Sequence, residues 1–393
     1  MKTKTFLGWA WRGALLSLTG LLVWGCSKYE ETNTTVAPVA SYPYALVACS
    51  NFAGKNSLAV IQLKPATTPR INYLVNLGSD PKLDPVVRTA DLTWTKRAFV
   101  VQRESGSATG KGKVALLDPA NRFQVKTRFQ VNDGINPANP QDLLVLAADK
   151  AYVTRLEPPY NDILIVNPDT GDTLGRVDFT GQGTNPDGLP RLYKMFPLQG
   201  RVWVLMQNYS STYTYDPGLI GVVNPNPNTI ETIIKLSTKN PTDFGYDNEA
   251  NLLYVASTGD WTDPATAGIE AVNPVTQASE GVLIHGNDLG GFITRMVMIA
   301  RNNAYLVVTK SDFSGDKVVQ VNPAAGTIGP TLYEYPGLWW VSDLALDERQ
   351  NLLLIADNSA SQVMLMDLAT GLIVDSFDTP VPPVSLAIWE GED

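Results

Sequence analysis

Six charged residues recur at near-constant spacing. Asp91, Asp142, Arg191, Asp243, Arg295 and Asp343 each open a short apolar run, and Ser385 opens a seventh, 51, 49, 52, 52, 48 and 42 residues apart. In a fold that repeats with that period they would stand at equivalent points around one channel mouth. Four carboxylates and two guanidiniums at one level can bind an ion or a polar ligand, and like-charge crowding there raises some carboxylate pKa values. The competing role is structural: an Asp at a strand opening accepts backbone N–H groups from the neighbouring crossing segment, and an Arg beside it forms an ion pair between repeats.

Other candidate chemistry is thinner. Asp312-Phe-Ser-Gly-Asp316 and Asp260-Trp-Thr-Asp263 carry oxygen ligands at near-alternating spacing, as calcium loops do, without the terminal bidentate Glu. No cofactor is expected, with calcium at these loops the one exception kept open. The single His, His285, lies in His285-Gly-Asn-Asp-Leu-Gly-Gly291 and reads as a turn residue. One His and two Cys put multi-His zinc sites and CxxCH haem attachment out of reach. Gly106, Gly110 and Gly112 lack both the Walker pattern and a following helix, which argues against a phosphate cradle.

The elements that position these residues follow from a second repeat. Val166-Asn167-Pro168, Val223-Asn224-Pro225, Val272-Asn273-Pro274 and Val321-Asn322-Pro323 each follow a β-branched run, with Leu117-Asp118-Pro119 and Met366-Asp367-Leu368 as looser copies. A short polar side chain that bonds the backbone ahead, with Pro fixing φ, starts a tight turn. Gly171, Gly326 and Gly371 then supply positive φ. Each copy is a hairpin between two strands. Four short strands per 42 to 57 residues, without helix-length amphipathic patterns, is the period of a propeller blade.

Counting strand openings predicts an all-β, seven-bladed β-propeller with four-stranded blades. Ser385 to Trp389 reads as an innermost strand with nothing after it, while Ala45 to Cys49, Leu58 to Leu63 and Ile71 to Asn76 read as a blade lacking one. The two ends therefore complete one blade, which removes the terminal edges open to aggregation. Six blades with an appended strand is the simpler competitor.

Ala151-Tyr-Val-Thr-Arg155 followed by Asn161-Asp-Ile-Leu-Ile-Val-Asn-Pro-Asp-Thr-Gly171 resembles the YVTN-type, YncE-like propeller repeat of bacterial and archaeal surface proteins. Leu253-Tyr-Val-Ala-Ser257 and the segment from Leu354 to Gly371 are similar. The resemblance implies a propeller and a cell-surface habit, and no particular activity, since such folds host lyases, lactonases, quinoproteins and binding modules alike.

In such a ring the loops between second and third strands gather with the blade-crossing segments on one face, and loops on a rigid scaffold commonly carry function. The long ones hold Tyr160, Tyr209, Tyr213, Tyr215, Trp261 and Phe313, and a crossing segment adds Trp339 and Trp340. Aromatics interleaved with Asn, Ser and Asp suit a protein or glycan contact, unless the rings only pack loop against loop.

The amino terminus gives an address. Lys2, Lys4 and Arg12 precede the apolar stretch Gly13 to Trp24, which reads as an export signal over 1–25. Its 12 residues reach roughly 18 Å at about 1.5 Å each, against a bilayer core of about 30 Å, so the stretch does not span. Val23-Trp24-Gly25-Cys26 resembles the lipobox of bacterial lipoproteins, in which Cys26 would carry the lipid; a plain secretory signal or an uncleaved anchor is the alternative. Residues 26–41 then read as a flexible tether and 42–393 as the propeller. By the same resemblance, Ser27 favours the outer membrane. Removal of the signal leaves 27 basic and 39 acidic residues, a surface that repels nucleic acid and anionic headgroups. The functional expectation is an envelope lipoprotein that binds a protein or glycan partner; the alternatives are a propeller enzyme of lyase or lactonase type using channel carboxylates, and a subunit of an outer-membrane assembly.

Overall fold

The computed structural model describes residues 42–64, 69–92, 95–104, 112–337 and 341–390. The proposed signal, Cys26 and the tether lie outside these residues. So do Trp339 and Trp340, and so does the side chain of Asp91.

Seven four-stranded antiparallel sheets form the ring. Blade 1 takes its innermost strand, Pro383–Trp389, from the carboxyl end and its other three, Tyr44–Ser50, Asn56–Gln62 and Ile71–Gly78, from the amino end. Val47 pairs with Leu386 and Tyr44 with Trp389 across that seam. Blades 2 to 7 are consecutive, with innermost strands Leu83–Leu92, Pro140–Ala147, Leu192–Leu198, Pro241–Asp247, Gly291–Ala300 and Val341–Asp347. The ring and its shared blade are as the sequence predicts.

The hairpin chemistry is also as read. The Asn167 side chain accepts the N–H groups of Asp169 and Thr170, and Gly171, at φ 80°, donates to the Asn167 carbonyl at 2.8 Å. Asn273 does the same for Val275 and Thr276, and Asp367 for Thr370.

Alternation along each strand sends successive side chains to opposite faces, and both faces of a blade are covered by its neighbours. The core is therefore seven slabs between blades. Ala45, Val47 and Cys49 face blade 7, where they meet Leu354 and Phe377, whereas Leu46 and Ala48 face blade 2 and meet Val100 and Ala115. Burial pushes the Cys49 thiol up to about 12, as suits a small apolar packing residue. Trp389 packs edge-on against Phe123 of blade 2 at 5.7 Å, which fastens the last strand to the blade beyond its own.

One local irregularity recurs. The inner strands of blades 1 and 3 to 7 each lose register against their neighbour near the start, at Val384, Gln141, Tyr193–Lys194, Thr242, Thr294 and Ser342–Asp343. A bulge places two residues opposite one and re-aims a side chain. Blade 2 has an unbroken ladder from Leu83 to Leu92.

Candidate functional site

The bulges put consecutive residues into the channel. Tyr193, Thr242, Thr294, Ser342 and Val384 line its mouth, and the residues after them, Lys194, Asp243, Arg295, Asp343 and Ser385, line the level below. In unbulged blade 2, Asp84, Val86 and Arg88 reach the channel at alternate positions instead.

At the lower level three aspartates repeat one pattern. Oδ1 of Asp142, Asp243 and Asp343 accepts the N–H of the next residue. Oδ2 accepts an N–H from the following blade: Met195 at 2.7 Å, Met296 at 3.2 Å and Leu386 at 2.9 Å. Each aspartate also faces a cation of the preceding blade, namely Arg88 for Asp142, Lys194 for Asp243, and Arg295 for Asp343 at 3.4 Å. Ser385 takes the equivalent place in blade 1, its hydroxyl accepting Val87 N–H at 3.3 Å. Burial works against the charge of Arg88, and Asp142, with Asp343 and Tyr193, outweighs it; at Arg295 burial is likewise outweighed by Tyr193, Asp343 and Asp243. The channel narrows here to a void of roughly 40 Å³. This level is a seam of inter-blade ties.

Two members of the expected charged ring stand elsewhere. Asp91 pairs with Lys96 in the ladder, one residue from the far end of its strand, because the blade 2 strand begins eight residues earlier, at Leu83; Val86 holds the position equivalent to Ser385. Arg191 precedes its strand at φ 55°, packs over the Tyr209 ring at 4.7 Å and pairs with Glu157 at 3.2 Å, and Lys194 takes its level in the channel. Arg88 and Lys194 escaped sequence reasoning, which sought a charge at the strand opening: Lys194 reaches the channel within a bulge, and Arg88 lies five residues into the unbulged blade 2 strand.

Above the seam opens a cavity of roughly 340 Å³, on the face of the second-to-third-strand loops. Tyr209, Tyr215 and Trp261 line it, as does Phe52, which the sequence reading missed because it sits in the short turn after Ser50. The rings form an arc. Tyr209 stacks on Tyr213 at 5.7 Å and leans on Tyr215 at 5.2 Å; Trp261 packs on Phe292 at 5.2 Å, and Phe292 stacks on Phe313 at 5.6 Å. Burial pushes the Tyr215 hydroxyl up to about 12 and raises Tyr209 as well, so both remain donors at neutral pH. Tyr213, 70% exposed, and Phe313, 39% exposed, form the rim. Tyr160 does not join them: it is buried under Arg155, 4.0 Å from the ring centroid, and its hydroxyl accepts Asp133 N–H, so it packs loop against loop.

The rest of the lining is polar and mostly neutral, including Gln207, Asn240, Thr242, Thr258, Thr294, Thr309, Ser342 and Asn358. Its charged members are held internally: Arg103 pairs with Asp84 at 2.5 Å, and Asp316 accepts the Thr309 hydroxyl at 2.7 Å. The two calcium-like loops turn their carboxylates to other work. Asp312 accepts Ser314 N–H while Asp316 points to Thr309, and Asp260 and Asp263 cap their own turns. Among the described residues no three His, Cys, Asp or Glu side chains converge as a metal-holding group. His285 is exposed at the end of the outermost strand of blade 5.

No protein-family model matches the chain, and no curated protein matches its sequence. Solved structures do match its shape. The Pseudomonas aeruginosa periplasmic gluconolactonase PpgL is 12% identical, over 88% of this chain and 99% of that one, with a TM-score of 0.61. Apo AztD from Citrobacter koseri is 10% identical over 88% and 97%, with a TM-score of 0.52. A functionally unknown protein from Desulfotomaculum acetoxidans is 13% identical over 89% and 99%, with a TM-score of 0.54. At these identities the likeness establishes the β-propeller fold and leaves activity to the site itself.

Proposed function

We propose that the protein is a lipid-anchored envelope propeller whose channel mouth binds a sugar unit of a glycan. The observation that carries this reading is the cavity itself: roughly 340 Å³, walled by Phe52, Tyr209, Tyr215 and Trp261 and floored mostly by hydroxyls and amides, with its charged groups paired within the protein. A sugar presents an apolar face to an aromatic ring and hydroxyls to such groups, and pockets that combine flat rings with a few placed polar atoms are the usual form of a small-ligand site. The enzymatic alternative draws on Asp142, Asp243 and Asp343, whose oxygens are already committed to the ties between blades. Kinship with YVTN-type surface propellers belongs to the same proposal, supported by the Ala151 to Gly171 motif.

Two outcomes are expected. On a glycan array the full chain binds a subset of sugars, and Trp261→Ala with Tyr215→Ala weakens that binding at least about tenfold, given roughly 0.5–1.5 kcal/mol for each lost ring contact beyond area; an array without binders, or unchanged affinity in the double variant, overturns the reading. For the anchor, Cys26→Ala moves the protein from the membrane fraction to the soluble fraction and abolishes incorporation of labelled fatty acid. Continued incorporation rejects it.

A further inference from the structure

We infer that the channel mouth takes a glycan chain rather than a lone sugar: one unit sits in the cavity, and Tyr213 and Phe313 stack on the units to either side. The inference rests on the glycan reading above. Its starting point is the backbone. Among the described residues, three exposed aromatic side chains sit at positive φ, Phe52 at 54°, Tyr213 at 59° and Phe313 at 58°. Each lies in the turn between the second and third strands of its blade: Tyr44–Ser50 to Asn56–Gln62 in blade 1, Arg201–Met206 to Pro217–Asn224 in blade 4, and Asn303–Lys310 to Gly315–Asn322 in blade 6. All three therefore stand on the face where the cavity opens.

The left-handed region crowds Cβ against the backbone, so a bulky side chain there costs stability that glycine would not lose and asparagine would lose less of. Elsewhere the chain respects this: six of the other non-glycine residues at positive φ are Asn. The turns themselves do not call for rings. Tyr213 N–H donates to Ser210 O at 3.0 Å and Phe313 N–H to Lys310 O at 2.8 Å, bonds that any residue other than Pro supplies. What the two rings do is extend the aromatic wall toward solvent. Tyr213 lies within 13° of parallel to Tyr209; Phe313 lies within 19° of parallel to Phe292 and 6.3 Å from Trp261. Tyr209 and Trp261 line the cavity, whereas Tyr213 and Phe313 stand beyond its lining. A ring outside the cavity has nothing to offer a single sugar within it, and a flat apolar face to offer the next unit. Phe52 lines the cavity from blade 1, across the circle from the arc on blades 4 to 6, and bounds the central unit on the other side. At roughly 340 Å³ the cavity is near the small end of ligand pockets, about 300–1,000 Å³, which leaves the rest of a chain to the rim.

Calorimetry on the full chain tests this with β-1,4-linked oligomers of glucose, mannose and N-acetylglucosamine, each from one to four units. In a series that binds, affinity is expected to rise about tenfold from one unit to three, the scale of two ring contacts, and to level off at four. Tyr213→Gly with Phe313→Gly removes both rings where glycine fits without strain. The trisaccharide should then lose its advantage over the monosaccharide, while the melting temperature stays within a few degrees of wild type or rises. Tyr213→Asn with Phe313→Asn should behave alike, and Tyr213→Trp with Phe313→Trp should keep the advantage. Affinity independent of length in the wild-type protein would overturn the inference and leave the glycan reading standing. An advantage that survives in the glycine pair, or a glycine pair that melts far below wild type, would overturn the role given to the two rings. Absence of binding in all three series would overturn the inference and the reading beneath it.

Discussion

A chain ending at Pro382 is expected to lose its cooperative fold. The missing strand, Pro383–Trp389, buries Val384, Leu386 and Trp389, each at most 6% exposed. At about 1.5–3 kcal/mol per large buried side chain, these three contribute roughly 5–9 kcal/mol, before the ladder to Tyr44–Ser50 is considered. That is comparable to the whole stability of an ordinary domain, about 5–15 kcal/mol. Truncation also strips Asp343 of the Leu386 N–H and leaves Tyr44–Ser50 as an open inner edge. Circular dichroism and size-exclusion chromatography should show no sharp melt and a concentration-dependent shift to large species. A truncated monomer that melts within a few degrees of the full chain would refute the seam as the lock of the ring.

The second large effect is expected at Asp142. Asp142→Ala removes one side chain that serves three blades: it leaves Arg88 facing no carboxylate there and strips acceptors from Leu143 and Met195 N–H. Asp142 is 4% exposed, and breaking a buried pair from one side costs about 3–5 kcal/mol. Because the Arg88 side chain is 26% exposed, the lower end of that range applies, about 3 kcal/mol. Asp142→Asn keeps an acceptor for Met195 and should lose less. Urea denaturation measures both; an alanine variant as stable as wild type would show that the tie contributes little.

The repeats were legible because turn chemistry is local. Asn167, Asn273 and Asp367 cap their hairpins whatever lies around them, so the period, the blade count and the shared blade could be read directly. The channel was half legible. Asp142, Asp243, Asp343 and Arg295 fall where the pattern places them, but the bulges do not announce themselves in composition: Thr242 and Thr294 look like residues that alternation would turn toward a neighbouring blade. Asp91 imitates the Asp-Leu signature of Asp142 while standing at the other end of its strand. Among the aromatics, Tyr209, Tyr215 and Trp261 were found by loop length, and Tyr160 was misplaced because a loop residue under a cation is indistinguishable in sequence from one facing solvent.

The shared blade has a consequence for how such a chain is made. Val47 and Leu386 are ladder partners 339 residues apart, so the circle cannot lock until Leu386 has emerged from the ribosome. Every shorter nascent length is an arc with two raw borders, slow to commit and in need of chaperoning. For the export proposed above, that delay would be of use: the chain would stay threadable during the crossing and become a finished ring only on the far side.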